Sequence, residues 1–424
     1  MTVYPGHFTA KIDAETAFGT AAGSPLNMRF DELVLPNVPG QQIDNPNLGH
    51  EHMGDTVDRP MHHYGGKADG GSGTVRVRKG DGTNDSTLLK LMEAAGCVNS
   101  QVTDGTLDAY TSTTDFSLSS TAGATADIGD AIAILGDDAL YWPTLIADYT
   151  GSADYDVTPS MALHSASTSG ATVAGLNTII PAMGAALGAT ESITILKYTR
   201  LPHTSTEDHL WTHSGCAVSK VGPIVIEPGA PITIPFGLHV ARSAYSSSAY
   251  GAATFRDGEK FCIIDDNCRF GYSDASALAG ITAATLNFHR AEIDPGIALT
   301  PIPSTGSASL GDWSGYMCNY TPATMTVEID YAKAYLDAFI SDSQTFKYMH
   351  IVQPMAAPST HSVFGFWMPK AAIVGDPEIM GEAKGSDYVR IKLVFRASTP
   401  EYDSASDTSN DSRDNAPWYM AFSK

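Results

Sequence analysis

The sequence predicts a mainly β protein with a few short helices. Two tandem domains of β-sandwich or half-barrel type carry one helix each, and a small β-barrel module is inserted in the first. Three observations lead there. Long stretches alternate apolar and polar residues with period two: Ile232, Ile234, Phe236, Leu238 and Val240 share one face of PITIPFGLHVARS, and Val389, Ile391, Leu393 and Phe395 share one face of YVRIKLVFRAS. That alternation marks half-buried strands, not helices. The same build occurs twice in the chain, each time as a small-residue strand, a Pro-Ile or Pro-Glu-Ile step, a Gly-containing turn and a long strand. Finally, Gly, Ser, Thr, Ala and Asp are abundant while charged residues reach only 17%, a composition that favours strands linked by many turns.

With 424 residues the chain exceeds one ordinary core and divides into domains. We place the first domain at residues 1–105 and 175–243, the inserted β-module at 106–174, the second domain at 244–400 and a C-terminal arm at 401–424. Further matches support the duplication. LNMRF (26–30) answers LNFHR (286–290), GTVRVRKG (73–80) answers MTVEIDYA (325–332), and ESITILKYTRLP (191–202) answers SQTFKYMHIVQP (343–354). After the second of these pairs comes a helix in each copy. In DSTLLKLMEAAG, Asp85 is the expected N-cap and Gly96 the stop; in DYAKAYLDAFIS, Asp330 holds the capping position.

Within the insert, Phe116 to Leu118, Ala131 to Leu135, Leu140 to Ile146 and Tyr155 to Val157 read as short strands between Gly-Asp and Gly-Ser turns. The Ser/Ala/Gly-rich stretch Ala241 to Gly258 reads as an interdomain linker. Pro36 to Gly71 is a long Gly/Asn/Pro/His-rich loop, of a length that is usually functional or ordered by a partner. The tail ends in Trp418, Tyr419, Met420 and Phe422, which need a groove in this subunit or another. Both the His-rich loop and this tail are expected to contact further subunits.

The net charge is −22, and from Leu91 to Leu196 there is no Lys or Arg against twelve Asp and Glu. DNA readers need clustered cations, so a sequence-reading DNA binder is disfavoured. No run of apolar residues is long enough to span a bilayer, and the start lacks a basic and an apolar signal region. Five scattered cysteines without a CxxC pair argue against a disulfide framework or a cysteine zinc site and for folding in a reducing cytoplasm.

His50, Glu51, His52, His62 and His63 form the metal-like cluster of the sequence, but HEHM lacks the HExxH spacing of a zinc protease. Asp137/Asp138 and Asp265/Asp266 are acid pairs of the kind a glycosidase uses, and they fit turns equally well. KGDGTNDS (79–86) precedes a helix without the phosphate-cradle arrangement, and no GxSxG elbow occurs. No catalytic, cofactor-binding or metal site is assigned, and no enzymatic activity is expected.

AETAFGTAAG (14–23), LNMRF, GTVRVRKGDG leading into LLKLMEAAG, and FWMPKAAIVGDPEIMG followed by YVRIKLVFRAS resemble the major tail tube proteins of long-tailed, siphovirus-like bacteriophages, in a duplicated form. The resemblance implies that each domain gives a bent sheet to a β-barrel lumen and that six such domains close a ring. Two domains per chain then imply a homotrimer per ring. Stacked rings would form the tail tube of the virion, assembled in the host cytoplasm. Its partners would be further copies of itself and the tape-measure, tail-terminator and distal tail proteins. Genome DNA would pass through without specific binding, and no membrane is involved. Open sheets with long alternating edges suit such a polymer, because ring closure removes the edges. Arg76, Arg78, Arg390 and Lys392 sit at polar positions of the alternating strands, so a channel lined by that face is not uniformly acidic. Other classes compatible with the residues are a capsid decoration or other virion β-protein, and a secreted glycan-binding or glycan-hydrolysing β-sandwich.

Overall fold

The computed structural model describes residues 8–35, 68–80, 85–150, 155–181, 186–187, 192–199, 208–248, 255–273, 284–286, 288–303, 313–331, 347–356, 362–380, 389–398 and 416–424. The first unit runs through β1 (Phe8–Ala14), β2 (Leu26–Asn27), β3 (Glu32–Val34), β4 (Ala68–Arg76), β5 (Arg78–Gly80), helix α1 (Thr87–Glu93) and β6 (Cys97–Gln101). Next come β7 (Gly105–Ser112), β8 (Asp115–Leu118), the short α2 (Ser120–Gly123), β9 (Ala131–Leu135), β10 (Tyr141–Thr150), β11 (Asp156–Pro159) and β12 (Thr172–Pro181). The unit closes with β13 (Ala186–Leu187), β14 (Ile193–Thr199), β15 (Asp208–Val221), β16 (Ile224–Ile226) and β17 (Thr233–Ser248). The second unit holds β18 (Asp257–Phe261), β19 (Arg269–Ser273), β20 (Ala284–Leu286), β21 (Phe288–Asp294), β22 (Ile297–Pro303), β23 (Trp313–Tyr320) and β24 (Thr324–Asp330). It ends with β25 (Lys347–Gln353), β26 (Phe364–Ile373), β27 (Glu378–Met380), β28 (Arg390–Ala397) and β29 (Tyr419–Ser423).

The protein is mainly β, with a closed six-stranded antiparallel barrel beside further strands. The barrel is the insert: pairing runs β7–β8–β11–β10–β9–β12 and back to β7. Leu107, Phe116, Leu118, Ile132, Ile134, Ile146, Val157 and Val173 fill it with a core of their own. The barrel is also spliced to its host. Beyond Gly175, β12 leaves the barrel and pairs with β6 on one side and β29 on the other. Ser160 and Tyr348 share a hydrogen bond of 2.7 Å, and Trp142 belongs to the main core.

Outside the barrel, pairing order repeats. The first unit reads β2–β1–β14–β15–β17–β4–β3, and the second reads β20–β19–β25–β26–β28–β24–β21. Registers agree as well: Glu32 lies opposite Thr74 as Glu292 lies opposite Thr326. In both units the segment that opens with Leu-Asn is not one strand. Its first residues pair with one neighbour and its later residues with another, because the chain turns a corner between sheets; Met28 N donates to Ala10 O while Asp31 N donates to Thr74 O.

Three other expectations change. The cap of α1 is Ser86, whose hydroxyl accepts from Leu89 N at 3.2 Å, whereas Asp85 lies one residue too early and pairs with Lys90 at 2.8 Å. Gly96 does end that turn, at φ +80. Residues 241–248 are strand, not linker, and continue β17 along β15. The tail strand β29 plays the matching part in the second unit, lying along Phe364 to Trp367 of β26 where β28 has already stopped. Trp418, Tyr419, Met420 and Phe422 are therefore buried inside their own chain, so they are not available for stacking rings. The second predicted helix and the His50, His52, His62 and His63 loop lie outside the described residues.

Candidate functional site

Among the described residues no hollow with convergent acids stands out, but one surface does. Strands β3–β4–β17–β16 form a four-stranded ladder, and β21–β24–β28–β27 form its counterpart. The two are joined edge to edge by antiparallel pairing of β16 with β21: Ile224 opposite Ile293, Val225 opposite Glu292, Ile226 opposite Ala291. The joint is reinforced by the β22–β23 hairpin. Ala298 pairs with Lys220 of β15, the Tyr316 hydroxyl donates to Gly215 O at 2.6 Å, and the Tyr320 hydroxyl donates to Gly96 O at 2.6 Å. Arg256 adds bonds to Ile12 O at 3.0 Å and Asp13 at 2.5 Å. The result is one eight-stranded ladder whose outer edges, β3 and β27, have no neighbour among the described residues.

Its two faces differ as alternation demands. One is apolar and buried: Leu33, Val75, Ile234, Phe236, Ile226, Ile293, Val327, Leu393 and Phe395 point into the main core. The other is polar and carries Arg76, Arg390 and Lys392, with Arg78 just past the end of β4 on β5. None of these four is a bare cation. Arg76 meets Asp31 at 3.2 Å and stacks on Phe261, while Arg78 lies over the same ring and donates to Glu259 O. Arg390 meets Glu328 at 3.4 Å, and Lys392 meets Glu378 at 3.4 Å. Across the second ladder the register puts Arg290, Glu328, Lys392 and Glu378 in one row of alternating charge. Glu227 of the first unit extends the row through its contact with Arg290 at 3.0 Å. Such a face offers phosphates few free cations.

The sequence-level acid pairs act as turn residues. Asp138 accepts from the Trp142 indole at 2.9 Å and from Leu140 N at 3.1 Å, and Asp265 accepts from Asn267 N at 2.8 Å and Gln353 Nε2 at 2.7 Å. A cavity of about 310 Å³ between barrel and host is lined by Lys79, Asp104, Tyr141, Gly175 and Lys424, but Asp104 is held by Lys424 at 3.0 Å. Among the described residues no group of three or more His, Cys, Asp or Glu is placed to hold a metal. Residue-by-residue reading had found the alternating strands and their cations. It missed the joint, because β16 and β27 are only three residues long. The matched Gly-containing turns before them, Gly222 at φ +87 and Gly375 at φ +77, were the available signal. The sequence matches no family model, and no curated protein aligns with it significantly.

Proposed function

We propose that the chain is a structural subunit of a phage tail tube, polymerising into stacked rings around a lumen through which genome DNA passes. The observation that carries this reading is the internal joint. One polypeptide holds two copies of the same four-stranded ladder, already fused edge to edge, with the corresponding edges unpaired at both ends among the described residues. A surface that continues its own sheet head to tail is heterologous, and such contacts generate rings or filaments. An exposed edge is otherwise an aggregation hazard, and closure is the way to abolish it. Mass distribution supports one sense of curvature. Helix α1 and the sheets of β14–β15 and β25–β26 all lie on the apolar side of the ladder. In a closed ring the bulkier layer occupies the larger circumference, so the ion-paired polar face lines the lumen. Three chains supply six ladders and a pseudo-sixfold ring. Stacking partners, tape-measure, terminator and distal tail proteins, and residence in the virion tail belong to the same proposal.

Negative-stain images of the purified protein test it. Rings or tubes with a stain-filled lumen and threefold cross-sections are expected. A monomer that stays dispersed at high concentration, or particles with no lumen, would count against the reading and favour a decoration protein.

A further inference from the structure

The two open edges are not merely similar to the closed joint; their register can be worked out, and it brings two carboxylates together. Thr233 lies opposite both Arg76 and Val225, and Lys392 lies opposite both Glu328 and Glu378. Val225 and Glu378 are therefore equivalent, as are Arg76 and Glu328. Stepping two residues along those strands makes Thr74 equivalent to Thr326, and hence Glu32, opposite Thr74, equivalent to Glu292, opposite Thr326. Inside the chain Val225 faces Glu292. Between two copies the same joint places Glu378 opposite Glu32, Pro377 opposite Leu33 and Ile379 opposite Asp31.

Surroundings of the open edge fit a missing neighbour. Ile226, inside the closed joint, is 0% exposed, whereas its counterpart Ile379 is 47% exposed, and Val34 beside the other edge is 50% exposed. A Cβ on Gly222 would lie 3.0 Å from Pro295 and 3.3 Å from Ile293 O of the joined strand pair; a Cβ on Gly375 would meet nothing within 4 Å.

We propose that β27 of one copy pairs antiparallel with β3 of a second copy in this register, and that Glu378 and Glu32, brought face to face, restrain that pairing in the free subunit. This rests on the tube reading for its purpose, though not for its geometry. Like charges directly opposite on adjacent strands destabilise the pair. Pro377 removes one backbone donor from the same edge. Charge and proline are the devices by which edge strands avoid uncontrolled association. The β16 strand of the closed joint has neither, with Val225 and Ile224 in those places. The restraint is partial, since Lys392 lies 3.4 Å from Glu378. Subunits therefore stay apart when dilute and join when the contacts around the edge are added together.

The test uses the full chain. Glu32→Cys with Glu378→Cys puts the two sulfurs on directly opposite residues, within the span of a disulfide. Mild oxidation is expected to give inter-chain products that end at a covalent trimer. Glu32→Cys with Ile379→Cys, shifted by one residue and so on opposite faces, is expected to give far less. Both pairs are placed in a Cys268→Ser background, whose oxidation supplies the baseline, since Cys97, Cys216, Cys262 and Cys318 are buried and Cys268 is partly exposed. Separately, Glu378→Gln or Glu32→Gln is expected to lower the protein concentration at which rings form by about two- to fivefold. Rings without the 32–378 cross-link, equal cross-linking in the shifted pair, or an unchanged onset in both Gln variants would each overturn the inference and leave the tube reading standing. The cross-link without any ring would keep the edge pairing and remove the tube reading. Neither product in wild type or variants would remove both.

Discussion

His350 is fully buried on β25, and neither of its ring nitrogens has a hydrogen-bond partner among the described residues. Its ring lies 5.7 Å from that of His164 on the barrel side; Tyr348 packs on His350, Trp142 packs on His164, and Arg269 is near His164. Burial holds His350 well below the ordinary histidine range, and His164's positive form opposes its own. Burial, helped by Arg269, lowers His164 to about 4. Both rings are neutral in the fold, while an unfolded histidine takes its proton near pH 6.5. A depressed folded value means that the folded state binds fewer protons. Stability is therefore complete above pH 6.5 and declines as pH falls from there towards 4. Thermal melts should show Tm falling between pH 7 and pH 5, and His164→Phe should shrink that fall; an identical pH slope in the variant would exclude this pair as its source. None of this was legible in the sequence, where His164 and His350 are isolated residues 186 positions apart (350 − 164). The capping of α1 was half legible: the DST run announced a cap, and only the backbone geometry chose Ser86 over Asp85.

At the scale of elements, β29 has consequences out of proportion to its length. It is the seam between β12, which closes the barrel, and β26, which belongs to the second unit. Trp418, just before it, is buried against Phe366 with ring centroids 5.8 Å apart. Trp418→Ala should cost about 3–5 kcal/mol. The loss should appear in urea melts that follow the barrel as well as those that follow the second unit, because β12 is shared. A loss confined to fraying of the tail, with the melts unchanged, would mean that the seam is not structural. The four apolar residues of the tail signalled burial in the sequence. Their address did not, because residues 399–415 separate β28 from the strand that completes its work. The barrel strands were more legible, Ala131–Leu135 to the residue, since tight turns leave hairpin partners adjacent in sequence.

For the whole molecule, the polar face of the joined ladders meets passing DNA if the ring closes as proposed. Its arginines and lysines are neutralised in place by Glu227, Glu328, Glu378 and Asp31. Phosphates therefore find little to hold, which in the proposed tube would let DNA slide. Glu328→Gln with Glu378→Gln frees Arg390 and Lys392. Assembled protein should then retain short linear duplex DNA, with a salt dependence steeper by about one unit per freed cation. Closed circular DNA, which cannot thread a lumen, should not gain retention. Asp108→Asn with Asp156→Asn makes the same change of net charge on exposed barrel strands. Equal retention in that control would place the ion-paired face outside the lumen.

By itself the sequence determined the strand-rich class, the duplication and the inserted small β-barrel, of whose six strands it marked four. Each is written in local signals, namely period-two alternation, recurring turns and segment pairs that can be aligned by eye. Tertiary structure decided the rest. The joining of β16 to β21, the splicing of barrel to host through β12 and β29, and the neutralisation of the ladder's cations all depend on residues far apart in the chain. Short strands carry too little periodicity to announce a partner, and backbone hydrogen bonding, which is blind to side-chain identity, makes the pairing. The ladder edges that were left open, with Glu32 on one and Glu378 on the other, could be recognised only after the closed joint between them had been seen.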